Sequence, residues 1–406
     1  MRYWPDATGT GPLVTELADD LVAMGEQVTV VTSVPHYGRG EPTTAYRGRV
    51  FYRSNESGVD VLRTASLGST LSSPAARAID YWAFTLLATL AGLGSSRPDV
   101  ILCIAPPFTV GLAGWMTRLL KRAPMVFNAQ DIWPDGLVSM GRLRSKPLIG
   151  VLRAIEKFVY RKADRISVVS DGMRENLIEK GVPSEKLAVI PNWVDTEFIT
   201  PAERMNPFRI GQGLEDRFLI LFAGNVGYAA GLRCVLEAAQ RVASDPRVFF
   251  LVVGEGSAKH ELQAYADTLG LENVRFLTTQ PRELLPQLLG SADLSLVTLR
   301  DGMGSLSVPS KSYAIMASAR PMLAAVPEDS AVRDLVLEAD CGLWIRPDHP
   351  ETMAKAILSL LDQPDRLKAM GQRGRELAER EFARPIGTAR YRELLLDLAE
   401  QGSHPG

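Results

Sequence analysis

Short apolar runs alternate with amphipathic helical patterns along the whole chain. A strand followed by a helix returns to its sheet as a parallel neighbour, so this alternation selects parallel sheets with helices on both faces. In the N-terminal half, Gln27–Thr32, Val59–Arg63, Val100–Ile104, Met125–Asn128, Ile166–Val169 and Ala188–Ile190 read as strands. In the C-terminal half, Leu219–Ala223, Val248–Val253, Val274–Leu277, Leu294–Val297, Met322–Ala324 and Gly342–Ile345 do so. Between them Asp195–Asn206, DTEFITPAERMN, is polar, carries Pro201 and reads as a linker. The 406 residues are too many for one ordinary core and suit two domains.

The expected fold class is therefore α/β, with two Rossmann-like domains over 1–195 and 207–384 facing across a cleft. Ligands then sit at the strand C-terminal ends that face the cleft. One irregularity stands at the start. Met1 is followed at once by Arg2-Tyr3-Trp4-Pro5-Asp6-Ala7-Thr8-Gly9-Thr10-Gly11, a loop that leads into the helical pattern Pro12–Met24. A doubly wound domain places an apolar strand before such a loop, and none is present. Either the natural start lies upstream or this domain lacks a central strand.

Apolar residues make up 46% and charged residues 23%, with a formal net charge of −2. These are values of a soluble globular protein, and the charge balance does not point to nucleic acid. Cys103, Cys234 and Cys341 are scattered and odd in number, by pattern in a strand, a helix and a strand. They read as buried free thiols in a reducing compartment. No signal-peptide pattern and no bilayer-spanning apolar run is visible, so the expected location is cytoplasmic, or peripheral on the cytosolic face of the inner membrane.

Two segments carry the chemistry. Phe218 to Leu232 reads FLILFAGNVGYAAGL, an apolar run, a Gly-rich turn and a helical pattern. Its Gly224-Asn225-Val226-Gly227 brings bare backbone close to whatever lies above the sheet. Val308 to Ala325 reads VPSKSYAIMASARPMLAA, a Pro309-Ser310-Lys311 turn opening a helix. Free N–H groups, a positive dipole end and an ammonium meet there. Together these segments describe a cradle for a diphosphate, the requirement of a sugar-nucleotide enzyme.

Further motifs accompany them: Thr8-Gly9-Thr10-Gly11, GEQVTVVTSVPHY at Gly25–Tyr37, NAQDIWPDG at Asn128–Gly136, SVVSDGM at Ser167–Met173 and VIPNWVD at Val189–Asp195. AGNVG at Ala223–Gly227, VVGEG at Val252–Gly256 and SVPSKSYAIMASARPMLA at Ser307–Ala324 complete the ordered set. The set covers nearly the whole chain and resembles the GT-B glycosyltransferases, in particular glycosyltransferase family 4. The nearest likeness is to the bacterial branch that builds surface polysaccharides by adding sugars, including N-acetylfucosamine, to lipid-linked acceptors. The resemblance implies an acceptor-binding N-terminal domain, a donor-binding C-terminal domain and a last helix, 385–402, that crosses back to the first. It also implies retention at the anomeric carbon.

The chain departs from the family at two points. The Arg and Lys of a Gly-Arg-x4-Lys-Gly pattern correspond to Asn225 and Ala230, and the Glu pair of a Glu-x7-Glu motif corresponds to Leu306 and Ala314. Two cations are missing, which leaves Lys311 as the best phosphate partner. A charge-assisted hydrogen bond is worth roughly 1.5–3 kcal/mol against about 0.3–1 for the helix dipole, so the lysine outweighs the dipole. Ribose contact falls to Asp329 or Ser330, which equally suit a helix cap. On the facing domain, Asp131 is the candidate to orient or deprotonate the acceptor hydroxyl, or caps the following turn, beside Gln130 and Trp133, whose ring suits a sugar face or interdomain packing alike. Gly9, Thr10 and Gly11 open a helix toward the donor β-phosphate, or form a tight turn only. Gly254, Glu255 and Gly256 read as a backbone wall near the nucleotide, and Gln280 and Arg282 as the border of the base; a structural loop explains either segment as well.

The four His residues show no metal spacing, and no Asp-x-Asp occurs, so no metal and no cofactor beyond the UDP-sugar co-substrate is expected. Arg142–Arg165 holds eight Lys or Arg against two acids, with Leu148, Ile149, Leu152, Ile155, Phe158 and Val159 at helical spacing. Ala76–Leu93 is apolar and aromatic. Both fit docking on an anionic inner leaflet, or ordinary amphipathic helices. The reading is a transferase moving a sugar, an N-acetylated hexosamine, from a UDP-sugar to a lipid-diphosphate-linked saccharide. A nucleotide-sugar epimerase and an inactive scaffold are the alternatives.

Overall fold

The computed structural model describes residues 3–6, 9–35, 46, 48–66 and 74–403. Met1, Arg2, Ala7, Thr8, His36 and Tyr37, on which parts of the sequence reading rest, lie outside them. The N-terminal half holds strands β1 (Thr29–Ser33), β2 (Phe51–Glu56), β3 (Val59–Thr64), β4 (Ile101–Ile104), β5 (Met125–Ala129), β6 (Arg165–Val168) and β7 (Leu187–Val189). Its helices are α1 (Gly11–Ala23), α2 (Pro74–Gly94), α3 (Val110–Lys121), α4 (Asp135–Ser139), α5 (Lys146–Lys162) and α6 (Asp171–Glu179). The C-terminal half holds β8 (Phe218–Ala223), β9 (Val248–Val253), β10 (Val274–Leu277), β11 (Leu294–Thr298), β12 (Met322–Ala325) and β13 (Gly342–Ile345). Helices α7 (Pro207–Gly211), α8 (Leu232–Arg241), α9 (Lys259–Thr268), α10 (Leu285–Gly290), α11 (Lys311–Ala317), α12 (Ala331–Ala339), α13 (Pro350–Leu360) and α14 (Pro364–Glu381) surround them, and α15 (Arg384–Ser403) follows.

The C-terminal strands form one parallel sheet in the order β10-β9-β8-β11-β12-β13. Strands covered by helices on both faces must be apolar throughout. β9, VFFLVV, is buried at every position. The chain builds outward from β8 in one direction and from β11 in the other. The crevice above β8 and β11 is thus the switch point, where open α/β sheets bind ligands.

The N-terminal half is not one parallel sheet. Among the described residues it forms a three-stranded sheet, β1-β3-β2, and a four-stranded one, β4-β5-β6-β7. β2 corrects the sequence reading twice: it was not foreseen, and it runs antiparallel to β3. Its residues FYRSNE alternate between exposed and half-buried, so no apolar run announces it. Ser57 and Gly58, at φ of 52° and 90°, close the hairpin, the two positive φ values that match the twist of paired strands.

The cysteines are all free and buried, although Cys341 sits just before β13 rather than in it. Arg142–Arg144 precede helix α5, which starts at Lys146 with Pro147 in its first turn, and Arg165 already belongs to β6. After the linker, Asn206 caps α7 by accepting from Arg209 N. α15 packs on the N-terminal half: Arg384 pairs with Asp20, Arg392 with Glu26, and Tyr391 Oη accepts from Asn128 Nδ2 at 2.7 Å. Among the described residues no helix is long and apolar enough to cross a membrane.

Candidate active site

The loop after β8 passes over the switch point as bare backbone. Gly224 has φ of 149°, and a Cβ on Gly254 would lie 1.9 Å from the Gly224 carbonyl oxygen. A Cβ on Gly256 would lie 2.3 Å from the Val226 oxygen. Val226 N donates to Glu255 O at 2.9 Å, so the Gly254–Gly256 turn is a template that shapes the Gly224–Gly227 loop. The Glu255 carboxylate points outward to Lys259 at 2.7 Å. Asn225 lies over Gly227, its Nδ2 3.1 Å from where a Cβ there would stand.

Lys311 opens α11 beside this loop. Its Cδ lies 3.6 Å from the position of a Cβ on Gly224, so the lysine stem packs against the loop. The ammonium sits 3.4 Å from the centroid of the Phe222 ring. Surrounding protein removes its water, and this desolvation alone drives the Lys311 pKa down to about 7. The aromatic face returns part of that loss. No carboxylate offsets the rest, so the site lacks the negative partner that would restore an ordinary lysine. Ser310 makes no side-chain cap bond, and the Ser312 hydroxyl donates to Pro309 O.

The N-terminal half meets this site directly. Asp131, in the turn between β5 and α4, bridges to Ser307 in antiparallel fashion. Asp131 is an exposed residue overall, yet surrounding protein desolvates its carboxyl and raises its pKa, and a hydrogen bond with the Ser307 side chain opposes the rise. Arg142 places its guanidinium 4.2 Å over the Tyr228 ring, beside the Gly224–Gly227 loop.

Other candidates are engaged elsewhere. Gln130 exchanges hydrogen bonds with Asn128 and Asn192, which fixes its amide as a spacer behind Asp131. Trp133 stacks on Phe108, centroids 5.6 Å apart at 17°, so its ring serves packing. Ser330 is fully buried and caps α12 by accepting from Val332 N, which leaves no hydroxyl for a ribose. Asp329 accepts from Ser305 N at 3.0 Å and holds the loop before Lys311. Arg282 reaches across to Glu16 of α1 at 2.8 Å, and the same Glu16 accepts from Trp193 Nε1. Gln280 donates to Thr278 O. Gly9, at φ of 62°, and Thr10 precede α1 without a side-chain cap, and Gly11 begins it. The structure thus brings together Gly224, Asn225, Gly227, Pro309, Ser310, Lys311 and Asp131, and ties Gln280, Arg282 and Ser330 into the scaffold. Phe222, Ser307, Tyr228 and Arg142 stand beside them without being singled out from the sequence, because a partner distant in sequence brings each one there. Among the described residues no group of His, Cys, Asp or Glu could hold a metal ion.

Residues 8–193 match the glycosyl transferase 4-like domain and residues 207–377 match glycosyl transferases group 1. The putative colanic acid biosynthesis glycosyl transferase WcaI of Escherichia coli is 29% identical over 78% of this chain and 79% of its own. Sucrose-phosphate synthase from Thermosynechococcus elongatus superposes with a TM-score of 0.78 at 17% identity, covering 97% of this chain and 94% of that one. Anabaena Alr3699/HepE, solved with UDP and glucose, gives 0.73 at 17% identity over 96% and 97%. The chain belongs to the GT-B glycosyltransferases, with a glycosyl transferase 4-like domain followed by a group 1 domain.

Proposed function

We propose that this glycosyltransferase takes a UDP-sugar, with an N-acetylated hexosamine as the sugar, and transfers it with retention to a lipid-diphosphate-linked saccharide in surface-polysaccharide synthesis. The observation that carries the donor half is Lys311, a desolvated cation with no carboxylate to offset it, held against the glycine loop at the switch point. A diphosphate supplies the missing negative charge. The Anabaena structure with UDP and the colanic acid relative support the choice of donor and pathway class.

In this reading the sugar C1–O bond to the diphosphate breaks while an acceptor oxygen bonds to C1 on the same face. The acceptor proton passes to the leaving phosphate. Lys311 stabilises the charge growing on that phosphate, and Asp131, its pKa raised by crowding, accepts a hydrogen bond from the acceptor hydroxyl and orients it. Arg142 stands in for one of the cations absent at Asn225 and Ala230.

A thermal-shift screen of UDP-, GDP- and ADP-sugars tests the donor. Stabilisation by UDP-sugars alone is expected, and none by any of them overturns the reading. Turnover of the donor without acceptor would mark an epimerase instead.

A further inference from the structure

Lys180 follows directly on α6, and its ammonium sits between carboxylates of two other helices. It lies 2.7 Å from Asp135 Oδ2, at the first residue of α4, and 2.7 Å from Glu156 Oε1, in α5. Arg153 of α5 also reaches Asp135, with Nη2 2.9 Å from Oδ1. One lysine thus ties three helices together. Glu156 is buried, and a buried carboxylate that loses its cation is left with an uncompensated charge.

α4 begins just after the turn that carries Asp131. Gly136 N–H, in the first turn of α4, donates to Ile132 O at 3.0 Å, while Ile132 N–H donates to Leu306 O at 2.8 Å across the cleft. Ile132, the neighbour of Asp131, is therefore held by α4 and by the C-terminal half at once. A second line of contacts ends at the same turn. Tyr160, one helical turn after Glu156, meets Phe108 edge to face, and Phe108 stacks on Trp133. Both lines lead from the carboxylates that Lys180 neutralises to residues within two positions of Asp131.

We propose that Lys180 is a positioning residue for the transfer reaction: by neutralising Asp135 and Glu156 together, it holds α4 and α5 so that Asp131 faces the acceptor hydroxyl. This rests on the role given to Asp131 above. Without the ammonium, Glu156 faces Asp135 with only Arg153 and the Tyr160 hydroxyl in opposition. Burial already raises the Glu156 pKa and Asp135 adds to the rise, whereas Lys180 and Tyr160 lower it. Removing Lys180 raises it further. Glu156 then takes up a proton as the pH falls, the repulsion ends and α4 returns to its place. The defect is greatest at high pH and fades toward low pH.

Turnover is read as UDP release from UDP-N-acetylglucosamine with a lipid-linked saccharide as acceptor. Lys180→Met should lower kcat about tenfold to a hundredfold at high pH, the scale of a small misplacement of a reacting group, with donor affinity unchanged. The ratio to the parent should climb as the pH falls, and Lys180→Arg should restore most of the loss. Lys180→Met combined with Glu156→Gln removes both charges of the pair, so its deficit should not vary with pH; it also serves if the single variant does not fold. In an Asp131→Asn background Lys180→Met should cost little more, the mark of two residues acting through one another. Amide exchange at Ile132 and Gly136, faster by about tenfold in Lys180→Met at high pH, reads the same geometry without any substrate. A folded Lys180→Met with parental turnover and parental exchange, a deficit that ignores pH, or an undiminished further loss in the Asp131→Asn background would overturn the positioning role alone. Parental turnover in Asp131→Asn itself would overturn the role of Asp131, and this proposal with it.

Discussion

Ile132 donates its backbone N–H to the Leu306 carbonyl at 2.8 Å across the cleft. This bond fixes Asp131 against Ser307, at the start of the segment that leads through Pro309 and Ser310 to Lys311. The carboxylate of one half and the ammonium of the other are thus positioned by the same short loop. Their separation is set by backbone pairing, not by flexible side chains, and this is the geometry that preorganised charge stabilisation needs.

Lys311→Ala should therefore lower turnover by roughly two to three orders of magnitude, the scale of losing one donor to transition-state charge. The fold should persist, because removing a desolvated cation removes a cost as well as a contact. Steady-state kinetics beside circular dichroism checks this. A folded variant with turnover near that of the parent would take Lys311 out of the mechanism.

The same lysine makes donor binding depend on pH. Its folded pKa is about 7, against 10.5 for an ordinary lysine. Between those values the unfolded chain holds a proton that the folded chain lacks, so stability conferred through this group rises with pH across the window. A diphosphate reverses the balance, because it favours the charged form. Affinity for a UDP-sugar should fall by up to about tenfold per unit above pH 7, with uptake of a proton on binding. Calorimetry in buffers of different ionisation heat measures the uptake; a flat affinity profile without it would show that the ammonium does not meet the donor.

Asp131→Asn separates the two substrates. The amide keeps the size of the side chain but, being uncharged, holds the acceptor hydroxyl less strongly. Turnover should fall by about a hundredfold or more, while donor affinity stays as in the parent because the Gly224 loop and Lys311 are untouched. Equal loss of donor affinity would move Asp131 from the acceptor to the donor site.

The sheet of the C-terminal half was legible because β8, β9 and β12 are continuous apolar runs, buried almost throughout. The glycine loop and the Pro309-Ser310-Lys311 turn were legible for a related reason, since each residue type there has a local conformational cause. β2 was not, because an exposed hairpin strand needs no apolar pattern. For Ser330 and Trp133 the sequence left a cap or packing open beside a ligand contact, since these look alike in sequence; the structure shows Ser330 capping α12 and Trp133 stacked on Phe108. Arg142 over Tyr228 and Arg282 on Glu16 arise only when two separately folded halves meet. No local pattern encodes such pairs.

The outer face of the N-terminal half supplies the last prediction. On α2, Ile79, Trp82, Leu86 and Leu90 are exposed, and their spacing puts them on one side of the helix. α3, packed between α2 and α5, adds exposed Met116, Leu119 and Leu120, and α5 adds Leu148 and Val151. Basic residues Arg144, Lys146 and Lys157 are exposed next to this apolar surface. An acceptor diphosphate at a bilayer surface requires the enzyme to approach that plane, and each nearby basic residue contributes about 1 kcal/mol toward an anionic leaflet. The protein should bind vesicles containing phosphatidylglycerol at low salt and leave them as salt rises. Replacing Arg144, Lys146 and Lys157 with Gln should weaken the salt-sensitive part, and Trp82→Ser with Leu86→Ser should weaken what remains. Neither set should change UDP-sugar affinity, since neither includes Lys311, Arg142 or a residue of the Gly224–Gly227 loop. Equal binding to neutral and anionic vesicles, or none to either, would make this surface an ordinary solvated face and favour an acceptor free in solution.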